Sequence, residues 1–238
     1  LERLGVETTY YDPLIGAGIA DLMRDNTRAV FTESPGSLTF EVQDIPVIAA
    51  AAHAREAAVL MDNTVATPLF FAAHARGVDL AIHAGTKFLS GHSDVMIGTV
   101  SANEAWWPKL QKEYGQLGQC VGPDDIYLTI RGVRTLGVRM KQHQIAGLQV
   151  ARFLASRPEV ARVLYPALPG DPGHALWQRD FTGASSLFGV VLRPKPLAAE
   201  KRLLDSLTRF GMDASWGGFE SLCIPTTPVP IRTATAWE

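Results

Sequence analysis

Residues 58–91 read AVLMDNTVATPLFFAAHARGVDLAIHAGTKFLSG. Ala58–Asp62 is a short apolar run that ends in an acid. Pro68–Arg76 reads as a helix closed by Gly77, and Asp79–His83 is a second apolar run. Strand, helix and strand at this spacing form a βαβ unit, because parallel neighbours need a crossover between them. The runs show little alternation, as expected of strands buried on both faces. Outward from this segment, Arg28–Glu33 reads as a strand. Asp44–Ala58 reads as a helix with Asp44 as its N-cap and Pro46 in its first turn. Val6–Tyr11, β-branched and aromatic, reads as a further strand. The expected fold class is α/β, a mostly parallel sheet flanked by helices.

The second half changes character. Leu136–Arg157 carries Val138, Ile145, Leu148, Val150, Phe153 and Leu154 and reads as one long helix that stops before Pro158. Val160–Tyr165 and Ser186–Leu192 are strand-like, Pro166–Gly173 is a loop, and Leu197–Phe210 is helical. The change places a domain boundary near residue 134. Residues 1–133 are expected to hold the parallel sheet, and residues 134–238 a smaller C-terminal α/β domain with an antiparallel tendency.

Composition excludes several classes. The chain has 238 residues, 47% hydrophobic and 19% charged, with a net charge of −2, which excludes disorder as the dominant state. A sequence pI of 6.3 argues against nucleic acid as a partner recognised through a general basic field. Cys120 and Cys223 stand too far apart for a disulfide framework or metal knuckle. The longest stretch without an acidic or basic residue, Asn63–Ala75, is too short to span a bilayer and contains Pro68. A soluble, cytoplasmic protein with no membrane partner is expected. The chain opens at Leu1 on a strand-like run and ends on loop-like Thr233–Glu238, so further sequence is expected on both sides.

Three motifs imitate chemistry. Gly16-Ala17-Gly18-Ile19-Ala20-Asp21 resembles a dinucleotide fingerprint, but Asp21 would repel a pyrophosphate. Gly91-His92-Ser93-Asp94-Val95 lacks the closing glycine of a nucleophile elbow, which leaves Ser93 as a turn or capping residue. The six histidines show no i, i+4 pair, so no metal site is expected.

Asp62 and Lys87 remain. Asp62 closes one strand and Lys87 lies just past its parallel neighbour, and the carboxyl ends of such strands share the edge where open α/β folds bind ligands. Structurally, Asp62 fits an Asx-turn with Asn63 and Thr64, and Lys87 a solvated loop lysine. Chemically, a lysine in the small-residue loop Ala84–Gly91 is an imine-forming amine, and Thr86 offers a hydroxyl to a phosphate. An acid on the next strand would keep a pyridine nitrogen protonated. These are the parts that pyridoxal phosphate requires.

Asp62-Asn63-Thr64, Gly85–Asp94, Arg131–Leu136 and Glu33-Ser34-Pro35-Gly36 together resemble the signature of the Cys/Met-metabolism pyridoxal-phosphate enzymes. Asp12–Gly16, Pro166–Gly170, Arg179–Gly183 and Ala214–Ser221 resemble the cystathionine β-lyase branch, with Trp216 as the distinguishing residue. The resemblance implies the fold of the pyridoxal-phosphate-dependent transferases. It also implies pyridoxal 5′-phosphate as cofactor, with Lys87 the catalytic, imine-forming lysine, Asp62 on the ring nitrogen and Thr86 at the phosphate. Ala84 stands where many relatives carry a serine that also binds the phosphate. Ser215 and Trp216 are implied at the substrate carboxylate, and Tyr114 or Tyr127 at its distal part. The implied reaction cleaves cystathionine to homocysteine, pyruvate and ammonia in a homotetramer. A γ-lyase or γ-synthase of the same family, or a fragment serving only as an interaction module, are the alternatives. The phosphate loop, the stacking tyrosine and the carboxylate-binding arginine of the family are implied outside this chain, and Arg232 lacks the surroundings of that arginine.

Overall fold

The computed structural model describes residues 1–237, and Glu238, the last residue of the expected second domain, lies outside them. The helices and strands in chain order are α1 (Ile19–Leu22), β1 (Ala29–Glu33), α2 (Ile45–His53), β2 (Ala58–Asp62), α3 (Thr67–Phe70), β3 (Leu80–Ala84) and β4 (Gly98–Ala102). There follow α4 (Trp107–Leu117), α5 (Pro123–Arg134), α6 (Leu136–Ala155), β5 (Val160–Leu164), α7 (His174–Asp180), β6 (Gly189–Leu192) and α8 (Leu197–Asp205). One sheet has the order β1-β2-β3-β4, with β1, β2 and β3 parallel and β4 antiparallel to β3. A second sheet pairs β5 with β6 antiparallel.

The core forms where α2 crosses the first sheet. Asp44 caps α2 by accepting from the Val47 N–H, with Pro46 in the first turn, as the sequence predicts. Ile45, Ile48, Ala49 and Ala52 line one helical face and are buried against Val30, Val59, Met61, Val78 and Ala81. The parallel register sets Glu33 level with Asp62, and Asp62 level with Ile82, so three strand ends share one edge.

Several expectations are corrected. Val6–Tyr11 is not a strand: Val6 and Tyr10 are exposed, and no described strand pairs with the run. The helix expected over Pro68–Arg76 breaks after Phe70, and a 3₁₀ turn follows at His74–Arg76. The Asn63 side chain donates to the Phe71 carbonyl (3.0 Å), Phe71 is extended and buried, and Gly77 closes the segment at φ 91°. The strands are not uniformly buried either. In β1, Val30 and Thr32 are buried while Phe31 is 54% exposed, as suits an edge strand. No strand precedes Gly16–Asp21, which forms a 3₁₀ turn and the single turn α1. Helices α2, α6 and α8 end before the predicted residues, and β4, α4, α5 and α7 were not anticipated.

Arg134 and Leu136 meet across Thr135 at the expected boundary. Beyond it, Phe181 packs on Phe71 (4.6 Å between ring centroids). Buried Asp180 pairs with Arg76 (3.2 Å) and Arg179, and Arg179 reaches Asp44 (2.7 Å). The segment around α7 is therefore tied into the first core.

Asp79 pins the sheet. Its Oδ2 accepts from the Val59 N–H (2.7 Å) and contacts His53 Nε2 (2.9 Å), while Oδ1 accepts from Asn103 Nδ2 (2.8 Å). Burial raises its pKa, but the bonds from Val59, His53 and Asn103 together outweigh burial and hold it below the ordinary carboxylate value. A depressed pKa contributes stability above the unfolded value of about 3.9 that is lost as pH falls through the folded value. Asp79→Asn should lose about 1–3 kcal/mol at pH 7. Below about pH 4 its stability should fall less steeply than that of the wild type. Urea unfolding at stepped pH measures both, and an unchanged pH slope would show that the carboxylate is not held.

Candidate active site

β3 runs into a tight turn, Ala84–Gly91. Its backbone closes on itself: Lys87 N donates to Ala84 O (2.9 Å), Ser90 N to Gly85 O (2.9 Å) and Gly91 N to Lys87 O (2.8 Å). Thr86 ties the turn to Ile97. Its N–H donates to Ile97 O (3.1 Å), and its hydroxyl accepts from Ile97 N (2.9 Å) and donates to Ile97 O (3.3 Å). The turn thus presents Lys87 on a fixed backbone.

Lys87 Nζ donates to Ser215 Oγ at 2.8 Å, and lies 5.3 Å from the centre of the Trp216 ring. Trp216 rests on buried Phe88 (5.4 Å), which meets His143 edge-on (5.0 Å). Gly217, at φ 85°, brings its backbone against the turn: a Cβ there would sit 3.0 Å from Lys87 C and Phe88 N. Only glycine suits both the dihedral and the approach. Ser93 Oγ donates to Glu220 Oε2 (2.6 Å) and fastens the far end of this segment.

Asp62 stands at the neighbouring strand end. Its Oδ1 accepts from Thr64 N (2.9 Å) and Thr64 Oγ1 (2.5 Å), and Thr64 Oγ1 accepts from Ala84 N (2.8 Å). The Asx-turn exists, and it couples the acid to the start of the lysine turn. Among the described residues Asp62 Oδ2 makes no hydrogen bond. Beside it, burial pushes the Glu33 pKa up against the lowering effect of Ser37, and Asp62 adds to the rise. His83, next to Ala84 in β3, is buried. Burial keeps it below the ordinary histidine value, and its Nε2 has no hydrogen-bond partner.

The structure therefore joins Lys87 to Ser215 and Trp216, and links Asp62 to the same turn. It does not bring in the tyrosines. Tyr114 and Tyr127 are exposed on α4 and α5, with no hydrogen bond or ring contact to Lys87, Asp62, Ser215 or Trp216 among the described residues. Sequence reasoning missed Gly217, the Ser93–Glu220 bond and Arg139, which binds the lysine turn from α6. Gly217-Gly218 after Trp216 was the available signal for a close backbone approach.

This donor set fits two ends of pyridoxal phosphate. The amine suits the aldehyde, and the free Asp62 oxygen suits a protonated ring nitrogen. At the phosphate end, Thr86 already gives its hydroxyl proton to Ile97 O, and Ala84 offers no side-chain donor. A profile of Cys/Met metabolism PLP-dependent enzymes matches residues 1–235. The chain belongs to this family. The family's cofactor is pyridoxal phosphate, and the structure of a cystathionine gamma-lyase from Lactobacillus plantarum, complexed with L-serine, shares the fold. That structure superposes with a TM-score of 0.89 at 26% identity, over 97% of this chain and 59% of its own. A cystathionine beta-lyase of Salmonella typhimurium is 50% identical over 97% of this chain and 59% of its own length. An L-alanine/L-glutamate racemase of Wolbachia pipientis is 40% identical over 94% of this chain and 56% of its own length. The chain thus spans just over half the length of these relatives.

Gly217→Ala tests the packing on Lys87. A side chain in left-handed backbone costs about 1–2 kcal/mol. The contact with Lys87 and Phe88 adds to this cost. Urea unfolding should show a loss of at least about 1 kcal/mol, and quenching of Trp216 fluorescence should change. Wild-type stability would mean that the segment does not press on the turn.

Proposed function

We propose that this chain is the lysine-bearing part of a pyridoxal-phosphate-dependent carbon–sulfur β-lyase, cleaving cystathionine to homocysteine, pyruvate and ammonia. The observation that carries the reading is the 2.8 Å bond from Lys87 Nζ to Ser215 Oγ beside Trp216, in a segment that reads as β-lyase in sequence. The 50% identity to the Salmonella enzyme supports it. Bound cofactor supplies an aldehyde that condenses with amines and a protonated ring that draws electron density from Cα. Asp62 Oδ2 would accept a hydrogen bond from the ring nitrogen and so keep that nitrogen protonated. Ser215 holds Nζ in place, and Lys87 takes the Cα proton and returns one to the departing sulfur. Thr86 contacts the phosphate by giving up its bond to Ile97 O, and Tyr114 faces the distal end of the substrate. In this reading residues 1–133 form the cofactor domain and residues 134–238 the smaller one.

The same reading makes the protein a cytoplasmic homotetramer. No described helix is long and apolar enough to cross a membrane. Ile126, Ile130 and Val133 of α5 leave, with Leu89 and Ile97, an apolar groove of about 360 Å³ that another copy would cover.

The Wolbachia relative favours racemisation as a second reading, since both reactions begin with removal of the Cα proton. In the full-length protein, cystathionine should yield pyruvate, with borohydride fixing the cofactor on Lys87. Release of 2-oxobutyrate would mark a γ-lyase, and D-alanine from L-alanine without pyruvate a racemase. Asp62→Asn should keep the lysine adduct while turnover drops by about 10²–10⁴. Full activity in that variant would remove Asp62 from the ring nitrogen.

A further inference from the structure

We propose that Arg139 is a positioning residue for Lys87, the peg around which the lysine turn is wound. The inference rests on Lys87 being the cofactor-binding amine. Four of the five guanidinium donors are used. Nη1 donates to Phe88 O (2.8 Å), Nη2 to Leu89 O (3.3 Å) and Gly132 O (2.8 Å), and Nε to Thr135 Oγ1 (3.1 Å). Phe88 and Leu89 directly follow Lys87. Neither carbonyl accepts any other hydrogen bond among the described residues, so Arg139 alone satisfies these two carbonyls.

The approach is close enough to dictate side-chain size. Gly91 turns over the guanidinium at φ 73°, and a Cβ there would lie 2.1 Å from Nη1. Gly132 of α5 faces the same turn, and a Cβ there would lie 2.3 Å from Ser90 O and 2.5 Å from Leu89 O. Turn, α5 and α6 therefore meet at one guanidinium.

Arg139 makes no ion pair with a carboxylate among the described residues. A half-buried cation without a counter-ion is costly, and burial lowers its pKa. The Gly132 carbonyl, near the carboxyl end of α5 where the negative pole of the helix lies, offsets part of that cost. Packing alone would be served by an apolar side chain, and a point charge by lysine. A planar fork that bridges carbonyls of the turn and of α5 requires arginine. The turn is thus fixed by Arg139 from α6 and by Gly217 from the opposite segment, with the Nζ–Ser215 distance as the result. A displacement of about 1 Å at a reacting group costs on the order of 100-fold in rate.

The test uses the full-length protein as wild type, Arg139→Gln, Arg139→Lys and Ile48→Ala. The last removes a buried side chain from the α2 core, remote from the turn. Three quantities are read: hydrogen exchange of the peptide covering residues 88–91, the fraction of Lys87 fixed by borohydride after incubation with pyridoxal 5′-phosphate, and the melting temperature. Arg139→Gln should raise the exchange rate and lower the Lys87 adduct, each by about tenfold or more. Arg139→Lys, which keeps the charge and loses the fork, should recover less than half of either. Ile48→Ala should melt at least as early and leave both near wild type. The proposal is overturned if Arg139→Gln stays within about twofold of wild type on the exchange readout. It is also overturned if lysine restores the wild-type values, or if Ile48→Ala loses as much. Should the glutamine variant fail to fold, Arg139→Lys is read on the same two signals. A wild type that forms no Lys87 adduct sinks the cofactor reading, while the exchange comparison still decides the role of Arg139.

Discussion

The nitrogen of Lys87 is held by parts of the chain that meet only through close backbone packing. Its hydroxyl partner, Ser215, lies 128 residues away, and the arginine that binds the Phe88 carbonyl lies 51 residues away. Gly217 and Gly132 let two further segments reach the turn at distances a side chain would prevent. Much of the site follows from that constraint. Phe88 is buried because the turn is enclosed, Trp216 has a surface to rest on, and Ser215 stops at hydrogen-bond distance from the amine.

The parallel sheet supplies the second frame. It aligns the ends of β1, β2 and β3, and so sets Glu33 beside Asp62 and both near the lysine turn. Two carboxylates on adjacent strand ends repel one another unless one of them is more readily protonated. Burial raises the Glu33 pKa against the lowering bond from Ser37, and Asp62 beside it keeps one oxygen without a hydrogen bond among the described residues. Thr64 carries the coupling further by bonding both Asp62 and the Ala84 amide, so the acid and the start of the lysine turn are braced by one hydroxyl.

What was legible in the sequence was local. β2, β3 and α6 follow from apolar runs and helical spacing, and the cap of α2 from Asp44 and Pro46. The break after Phe70 was not legible, because it depends on the Asn63 side chain taking a carbonyl eight residues ahead. β4 was missed because Gly98–Ala102 is small, polar and mostly exposed, and it becomes a strand only through its antiparallel pairing with β3. At the site, Asp62 and Lys87 could be read from their places after adjacent strands. Ser215 and Trp216 came from resemblance alone, since nothing in their spacing points to Lys87. Arg139 lies just past the Arg131–Leu136 motif, and its partners are backbone carbonyls, which have no signature in sequence.

The division of labour between backbone and side chain bears on how the lysine can work. A group that takes a proton at one atom and delivers it at another must move its tip while its base stays still. The base is fixed by Thr86, Arg139 and Gly217. The tip is tethered to a hydroxyl, and no carboxylate pairs with it among the described residues. A single hydrogen bond to a hydroxyl contributes about 0.5–1.5 kcal/mol net, less than the several bonds of Thr86 and Arg139 that fix the base. The weaker tether lets Nζ leave Ser215 and swing without dragging the turn.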